Sequence, residues 1–589
     1  VKKVYYFSNQ EISQLLRSMA AAYEIKGEDR FRIAAYERAA ASVEHATSEV
    51  KDLWDDKKLG ELAGIGAAIA SHLDELFRTG KVKHFDQVFK DLPPAMFTLL
   101  DLPGVGAKTA YKLCLNLKIK EPKKALSQLR IAAKKGRIRT IEGFGEETEK
   151  TILKAIKELR SRSERILLPT ASLLAEEILS WLKRSKAVER VETLGSLRRQ
   201  VATVGDIDIA VASNQAKEVI KHFVVYPKKK RVLESGEAKA SILLKGGQQV
   251  DLMVEPVEAF GALLQHFTGS KHHNIALREF ALKKKMSLSE HGIKKGGKLM
   301  KFKTEEEFYN FLSLDYIPPE LRENTGEIEA AQARKLPKLI DLKDIKGDLH
   351  LHSNIPIEES HDPGTDTVEV MIEKAEALGY EYLGFTEHNP SISQHNEKQI
   401  CNLLKAKKEK MEQINSSRTK KILKKVYNGL EVDIRPNGKL AIPDEAYKLL
   451  DYVIASIHSS FRMEKEEMTK RVLEGLSPEK AKILGHPTGR LLGKREGYEL
   501  DWEKIFEFCL KKKKWIEINA HPARLDLPDI LVREAIKAGV KIIINTDSHA
   551  VEQMDLMSFG VSVAKRGWAE KKDIVNCLSY NRFAKTLLS

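Results

Sequence analysis

The sequence predicts a multidomain chain that joins α+β parts to an α/β part, and three observations carry that prediction. At 589 residues the chain exceeds what one hydrophobic core can serve, since single cores stop growing near ~250–300 residues. Its first quarter repeats a Gly-x-Gly turn followed by a helical pattern. From Gly347 onward, seven short apolar runs each end in a metal-capable side chain and lead into a helical stretch, the rhythm of a β/α barrel. Hydrophobic content of 42% and charged content of 31% describe a folded chain, not a disordered one. The net charge of +15 points to a polyanionic partner. Cys114, Cys401, Cys509 and Cys577 lie far apart with no CxxC pair, so neither a disulfide framework nor a thiolate zinc site is indicated. No apolar run reaches the ~18 residues of a membrane span and the N-terminus lacks a signal-like segment, so the expectation is a cytoplasmic protein with no membrane partner.

The helical region carries its turns as Leu62-Ala63-Gly64-Ile65-Gly66, as Leu102-Pro103-Gly104-Val105-Gly106 and, more weakly, as Ile141-Glu142-Gly143-Phe144-Gly145. Amphipathic helices are expected after the first two, over Ala67–Phe77 and Ala107–Leu117. Glycines in such a turn let a phosphate approach the amides of the next helix's first turn. Gly-x-Gly can also merely cap and restart a helix, but three copies in a basic chain favour a repeated binding unit. The pattern resembles the helix-hairpin-helix, a sequence-independent binder of the DNA backbone. The resemblance makes Gly64, Gly66, Gly104 and Gly106 the phosphate-facing positions, with Lys108 placed to reach the same phosphate.

The middle of the chain should open with a helix over Ala171–Lys183. Gly195-Ser196-Leu197-Arg198-Arg199 follows, and then Gly205-Asp206-Ile207-Asp208 within a strand expected over Val204–Val211. Residues i and i+2 of a strand share a face, so Asp206 and Asp208 can share a divalent cation. The Gly-Ser turn and Arg199 offer amides, a hydroxyl and a guanidinium to a phosphate chain. Lys228-Lys229-Lys230-Arg231 reads as a solvated basic loop, and Ala240–Leu244 with Gln249–Val254 reads as a hairpin turning at Gly246-Gly247. Asp251 stands alone in that second apolar strand, where an uncompensated carboxylate is costly. It is the expected third carboxylate of a nucleotidyl-transfer site.

These motifs, with His266-Phe267-Thr268-Gly269-Ser270, Asn274 and Arg278, resemble the palm and thumb of family X DNA polymerases such as DNA polymerase beta. The resemblance implies that Asp206, Asp208 and Asp251 bind two Mg2+ or Mn2+ ions, with Asp251 also helping to deprotonate the primer 3′-hydroxyl. It implies a nucleotide site formed by Gly195, Ser196, Arg198, Arg199, Gly205, His266, Phe267, Gly269, Asn274 and Arg278. The chain departs from the animal members at His266, where they have Tyr, and at Gln249, where they have Arg. A further departure is His72, with Ala68 one turn earlier, at the position of the family's Schiff-base Lys. An imidazole replaces a primary amine poorly in that chemistry, so weak or absent lyase activity is expected.

In the C-terminal part the metal-capable residues fall at the ends of the apolar runs, as in Asp348-Leu349-His350-Leu351-His352 and Ile544-Asn545-Thr546-Asp547-Ser548-His549. Imidazoles mixed with carboxylates suit zinc, manganese or iron better than calcium. The constellation resembles the PHP (polymerase and histidinol phosphatase) domain. By that resemblance the ligands of a Mn2+, Zn2+ or Fe2+ cluster are His350, His352, His388, Glu431, His458, His486, Asp547 and His549. The ninth, an Asp displaced in this chain, is expected at Asp362, with Asp366 as the alternative. Glu387 stands where many members have Asp, and Arg524 is a phosphate contact in this reading.

The resulting fold class is a helical helix-hairpin-helix region, a nucleotidyltransferase palm with a thumb, and a seven-stranded distorted (β/α) barrel. The expected boundaries are 1–82 and 83–165 for two helical domains, 166–258 for the palm, 259–318 for the thumb, 319–345 for a linker and 346–589 for the PHP domain. The expected function is a monomeric DNA-templated polymerase acting with dNTPs on gapped or primer-template DNA in base excision repair. The resemblance adds 3′→5′ exonuclease and 3′-end or abasic-site processing by the PHP half. Two alternatives stay open on the residues. One is a DNA-end-binding PHP nuclease whose polymerase half is non-catalytic; the other is a template-independent nucleotidyltransferase.

Overall fold

The computed structural model describes residues 5, 7–44, 50–55, 57, 59–62, 64–102, 104–163, 165–418 and 422–588. Ala63 and Pro103, inside the first two Gly-x-Gly loops, lie outside the described residues. The N-terminal region is helical, and its two expected helices run Ala67–Thr79 and Ala107–Leu117. Its apolar faces share one core extending from Ile12 to Ile156, so the boundary expected at residue 82 divides a continuous core.

The palm is a five-stranded sheet of β1 (Arg190–Thr193), β2 (Ile207–Ala212), β3 (Lys229–Ser235), β4 (Lys239–Leu244) and β5 (Gln249–Glu255), in the spatial order β1-β2-β5-β4-β3. Only β2 and β5 run parallel. Their inward residues are Val, Ile and Leu, which suit a pleated surface covered by the helix Leu168–Leu182. Two expectations are corrected here. The strand expected from Val204 breaks at Gly205-Asp206 and resumes at Ile207, so Asp206 sits in a bend and not in β2. The basic loop is instead the start of β3, an edge strand whose exposed Lys-rich register needs no apolar alternation.

The helices Phe260–Thr268 and Lys271–Lys283, a three-stranded antiparallel sheet and the helix Glu305–Phe311 build the thumb. Residues 319–345 are not a free linker. Arg322 is fully buried and donates to Glu305 Oε1 at 2.6 Å and to the Ile317 carbonyl at 2.9 Å, which ties the segment to the thumb core.

Seven parallel strands follow in sequence order: β6 (Gly347–Leu351), β7 (Tyr382–Phe385), β8 (Lys425–Asp433), β9 (Tyr452–Ser456), β10 (Ala481–Leu484), β11 (Trp515–Asn519) and β12 (Ile542–Asn545). Nearly every strand residue is buried, as expected for a parallel sheet packed on both faces. The ends of the sheet approach each other: Leu351 bridges Ser548, and the His352 amide donates to the Ser548 carbonyl at 2.8 Å. A cluster around Leu349, Tyr382, Tyr452 and Trp515 takes in Phe583 from the C-terminal helix Tyr580–Leu588. No helix among the described residues is long and apolar enough to cross a membrane.

Candidate functional site

In the palm, the parallel register of β2 and β5 sets Asp208 directly beside Asp251. The Asp251 carboxylate is held from its own sheet, by the Ser241 hydroxyl on β4 and by Gln249 Nε2 at 3.0 Å. Gln249, where the animal enzymes carry Arg, therefore orients a carboxylate instead of adding charge. The Gly195-Ser196 turn lies against the same spot. Gly195 has φ +58°, and a Cβ there would run into the Asp208 carboxylate, so both backbone and space require glycine.

Three carboxylates crowd this site, and Arg165, Lys239 and Arg199 offset their charge only in part. Burial first, and then the charge of Asp251, push Asp206 up to about 6 against the pull of Arg165. Burial, Asp251 and Asp206 together push Asp208 well above the usual carboxylate range. Carboxylates in this condition are the donor set that a hard divalent cation fits.

The sign of the effect on stability follows from these shifts. A folded pKa above the unfolded value of 3.8 means that ionisation opposes folding. The penalty is absent below that value, grows as pH rises through about 6, and is full above it. Metal-free Asp206→Asn should therefore melt about 2–4 °C higher than wild type at pH 7.5, the shift of about 1 kcal/mol in a unit of this size. The advantage should vanish at pH 4 and in saturating Mg2+, as thermal scans in chelator, acid and metal would show.

The remaining palm and thumb residues divide into two sets. Arg199 stays at the site: its Nε donates to Glu323 Oε1 at 2.9 Å and its Nη1 to the Thr268 carbonyl, beside Gly269. Arg198, expected at the nucleotide, is drawn elsewhere. Its guanidinium donates to Glu305 Oε2 at 2.6 Å and to Thr268 Oγ1 at 2.7 Å, so it fastens the palm to the thumb. His266 is buried against Phe267, with ring centroids 4.7 Å apart, and its carbonyl accepts from Asn274 Nδ2 at 2.6 Å. Burial, and then the Arg278 charge, hold His266 well below the usual imidazole range, so it is a neutral ring where the animal enzymes have a phenol.

The second site gathers at the C-terminal ends of the barrel strands, the face where β/α barrels place polar side chains from distant sequence. Glu431, buried near the end of β8, is the carboxylate on which the imidazoles converge. His388 Nδ1 (2.9 Å), His350 Nε2 (3.3 Å) and His352 Nε2 (3.5 Å) approach one oxygen. His486 Nε2 (2.9 Å) and His458 Nε2 (3.4 Å) approach the other. Asp547, at φ +55°, faces His352 at 3.2 Å and His350 at 3.4 Å. His549 stacks on His352 with centroids 4.0 Å apart.

Buried His350 Nε2, both ring nitrogens of His352, Glu431 Oε2 and His549 Nε2 make no hydrogen bond. Such atoms are costly to bury unless something else coordinates them. Three overlapping groups of this set have ligand atoms close enough to hold an ion: His350 with His352, Glu431 and Asp547; His352 with His388 and His549; and His388 with Glu431 and His458. The residues present thus fit a cluster of divalent metals.

Asp362 is less well placed than expected. Its side chain is 85% exposed and reaches His549 only at 3.8 Å. Asp366 is spent on the segment after β12, accepting from the Val551 amide at 2.8 Å. The neighbouring His361 instead turns inward, with Nε2 3.2 Å from Asp433, which also accepts from His458 Nδ1 at 2.6 Å. Arg524 lies 3.7 Å from Asp547, at the edge of the cluster.

Some residues at these sites escaped the sequence reading. Fully buried Glu517 receives His350 Nδ1 at 2.7 Å and fixes which nitrogen faces the cluster. Asp433, two residues after Glu431 on the same strand, was findable by strand period. His361, in an irregular loop, gave no such signal.

Three of the four expected helix-hairpin-helix glycines are open, and the fourth, Gly64, is not, since a Cβ there would meet Ser42 Oγ at 3.1 Å and the Arg38 carbonyl at 3.3 Å. Gly66 and Gly106 begin their helices in extended conformation without a side-chain cap, and a Cβ at Gly66, Gly104 or Gly106 would meet nothing. Lys108 is exposed, 3.9 Å from Glu24. The third loop differs, since Lys112 donates to the Glu142 carbonyl and closes it. His72 stacks on His84 at 5.0 Å and bonds the Tyr36 hydroxyl at 2.8 Å.

Residues 7–82 match the helix-hairpin-helix domain, residues 263–323 the DNA polymerase beta thumb and residues 348–521 the PHP domain. The chain is 34% identical to the DNA polymerase/3′-5′ exonuclease PolX of Bacillus subtilis over 576 residues, 97% of each chain. It is 23% identical to DNA polymerase lambda of Rattus norvegicus over 346 residues, 54% of this chain and 56% of that one. A probable phosphatase of Clostridium acetobutylicum is 29% identical over 216 residues, 34% of this chain and 78% of its own. With likeness over almost its full length and with both sites assembled, the chain belongs to the family X DNA polymerases that carry a C-terminal PHP domain.

Proposed function

We propose that this protein fills short gaps in DNA by templated nucleotide addition and trims 3′ ends with its PHP half. The observation that carries the synthetic half is Asp208 and Asp251 side by side, with the Gly195-Ser196 turn and Arg199 next to them. In this reading the Gly195-Ser196 turn and Arg199 hold the triphosphate, and Asp251 takes the proton of the primer 3′-hydroxyl. His266 and Phe267 bound the sugar side, and the Gly66 and Gly106 helix starts grip the backbone on either side of the gap. At the other centre, His350, His352, Glu431 and Asp547 converge on one point. Arg524 is the positive side chain beside them that can steady a phosphate. Magnesium or manganese at the aspartates, and manganese, zinc or iron at the histidines, would supply the Lewis acidity both phosphoryl transfers need.

The trio of aspartates favours this reading over a docking-only polymerase half, because carboxylates held at such cost have no other evident use. Template dependence separates it from a template-independent nucleotidyltransferase. On a one-nucleotide gap, incorporation of the complementary dNTP should exceed each mismatched dNTP by at least about 100-fold, and removal of the template strand should abolish extension. Equal extension with and without template would support the alternative.

A further inference from the structure

The helix Met557–Arg566 belongs to the barrel half but lies along the palm. Its Phe559 packs into both cores, Ser562 Oγ meets Gln200 Oε1 at 3.2 Å, and Ala202 of the palm packs on the barrel core. At its last residue, Arg566 is 91% buried and reaches three groups at once. Its Nη1 donates to the Arg199 carbonyl and to Glu323 Oε1, both at 2.9 Å, and its Nη2 pairs with Asp529 at 2.6 Å. Glu323 Oε1 is the same atom that receives Arg199 Nε. A continuous chain therefore runs from the barrel to the arginine beside Asp208: Asp529, Arg566, Glu323, Arg199.

We infer that Arg566 of the PHP half is a positioning residue for the polymerase site, setting both the place and the available charge of Arg199. The inference rests on the nucleotide-transfer reading given above. Two effects follow from the geometry. The hydrogen bond to the Arg199 carbonyl fixes the backbone from which the guanidinium projects. Sharing Glu323 between two guanidiniums leaves Arg199 only part of a counter-charge, so its remaining positive charge can act on a triphosphate. Without Arg566, Glu323 pairs with Arg199 alone, and an incoming nucleotide must compete with a half-buried carboxylate for it. Arg566 touches neither nucleotide nor metal ligand, and its effect would appear in nucleotide binding more than in turnover.

The test is steady-state gap filling by full-length protein, comparing wild type with Arg566→Ala, Arg566→Lys and Ser562→Ala. Arg566→Ala should raise KM for dNTP about tenfold and change kcat less than threefold. Arg566→Lys, which keeps one donor but cannot bridge all three acceptors, should fall between. Ser562→Ala loosens the same seam without touching Arg199 and should match wild type. Degradation of a single-stranded 3′ end should be unchanged in all three, which with thermal scans shows that the barrel is folded. If Arg566→Ala does not fold, Arg566→Lys carries the test with the same expected direction. An unchanged KM, a loss confined to kcat, or an equal rise in Ser562→Ala would overturn the inference. If wild type itself incorporates no dNTP, the reading of the polymerase site fails instead.

Discussion

Asp251→Ala should lower templated incorporation at least about 1,000-fold, a loss of about 4 kcal/mol in transition-state stabilisation. Digestion of 3′ ends should stay within twofold of wild type. Asp251 pairs in register with Asp208 on the adjacent strand, and Ser241 and Gln249 hold its carboxylate in place. Removing it leaves two carboxylates that cannot enclose the charge developing between primer and triphosphate. The fold should tolerate the change, because it relieves the like-charge crowding that, after burial, raises Asp206 and Asp208. Single-turnover extension of a labelled primer checks the loss of rate, and release of labelled dNMP checks the spared activity.

Glu431→Gln should have the mirror-image outcome, with 3′ digestion lowered at least about 1,000-fold and gap filling within twofold of wild type. Glu431 is the carboxylate on which His350, His352, His388, His458 and His486 converge from β6, β7, β9 and β10. The carboxamide keeps the volume but places a donor among nitrogens that need an acceptor or a cation. Burial would raise the Glu431 pKa, but His388, His350 and His458 hold it well below the usual carboxylate range, so the site is built around a charge that Gln cannot supply. Metal content by elemental analysis should fall together with digestion.

Periodic features made most of this architecture legible. The seven barrel strands could be located because apolar runs ending in His, Glu or Asp recur at strand length, and parallel pairing in sequence order follows from the intervening helices. The helices after Gly66 and Gly106 start where the glycines predict. What escaped was set by contacts distant in sequence. Arg198 and Arg199 are adjacent and chemically alike, yet Glu305 captures one and Glu323 the other, and the pattern Gly-Ser-Leu-Arg-Arg does not say which. The β3 strand was hidden because its exposed lysines need only backbone pairing with β4. The segment after Pro319 reads as polar, but Arg322 is buried because Glu305, 17 residues earlier, compensates it. His361 and Asp362 are neighbours in an irregular loop, where no strand or helix period tells which one turns inward.

The central claim is that one chain holds two separate phosphoryl-transfer centres acting in opposite directions. It is tested most directly on a single gapped duplex with a labelled primer, using Asp251→Ala, Glu431→Gln and wild type, with extension and shortening scored in the same lanes. The prediction is that Asp251→Ala only shortens the primer, Glu431→Gln only extends it, and wild type does both. Loss of both activities in either variant, or survival of extension in Asp251→Ala, would contradict it.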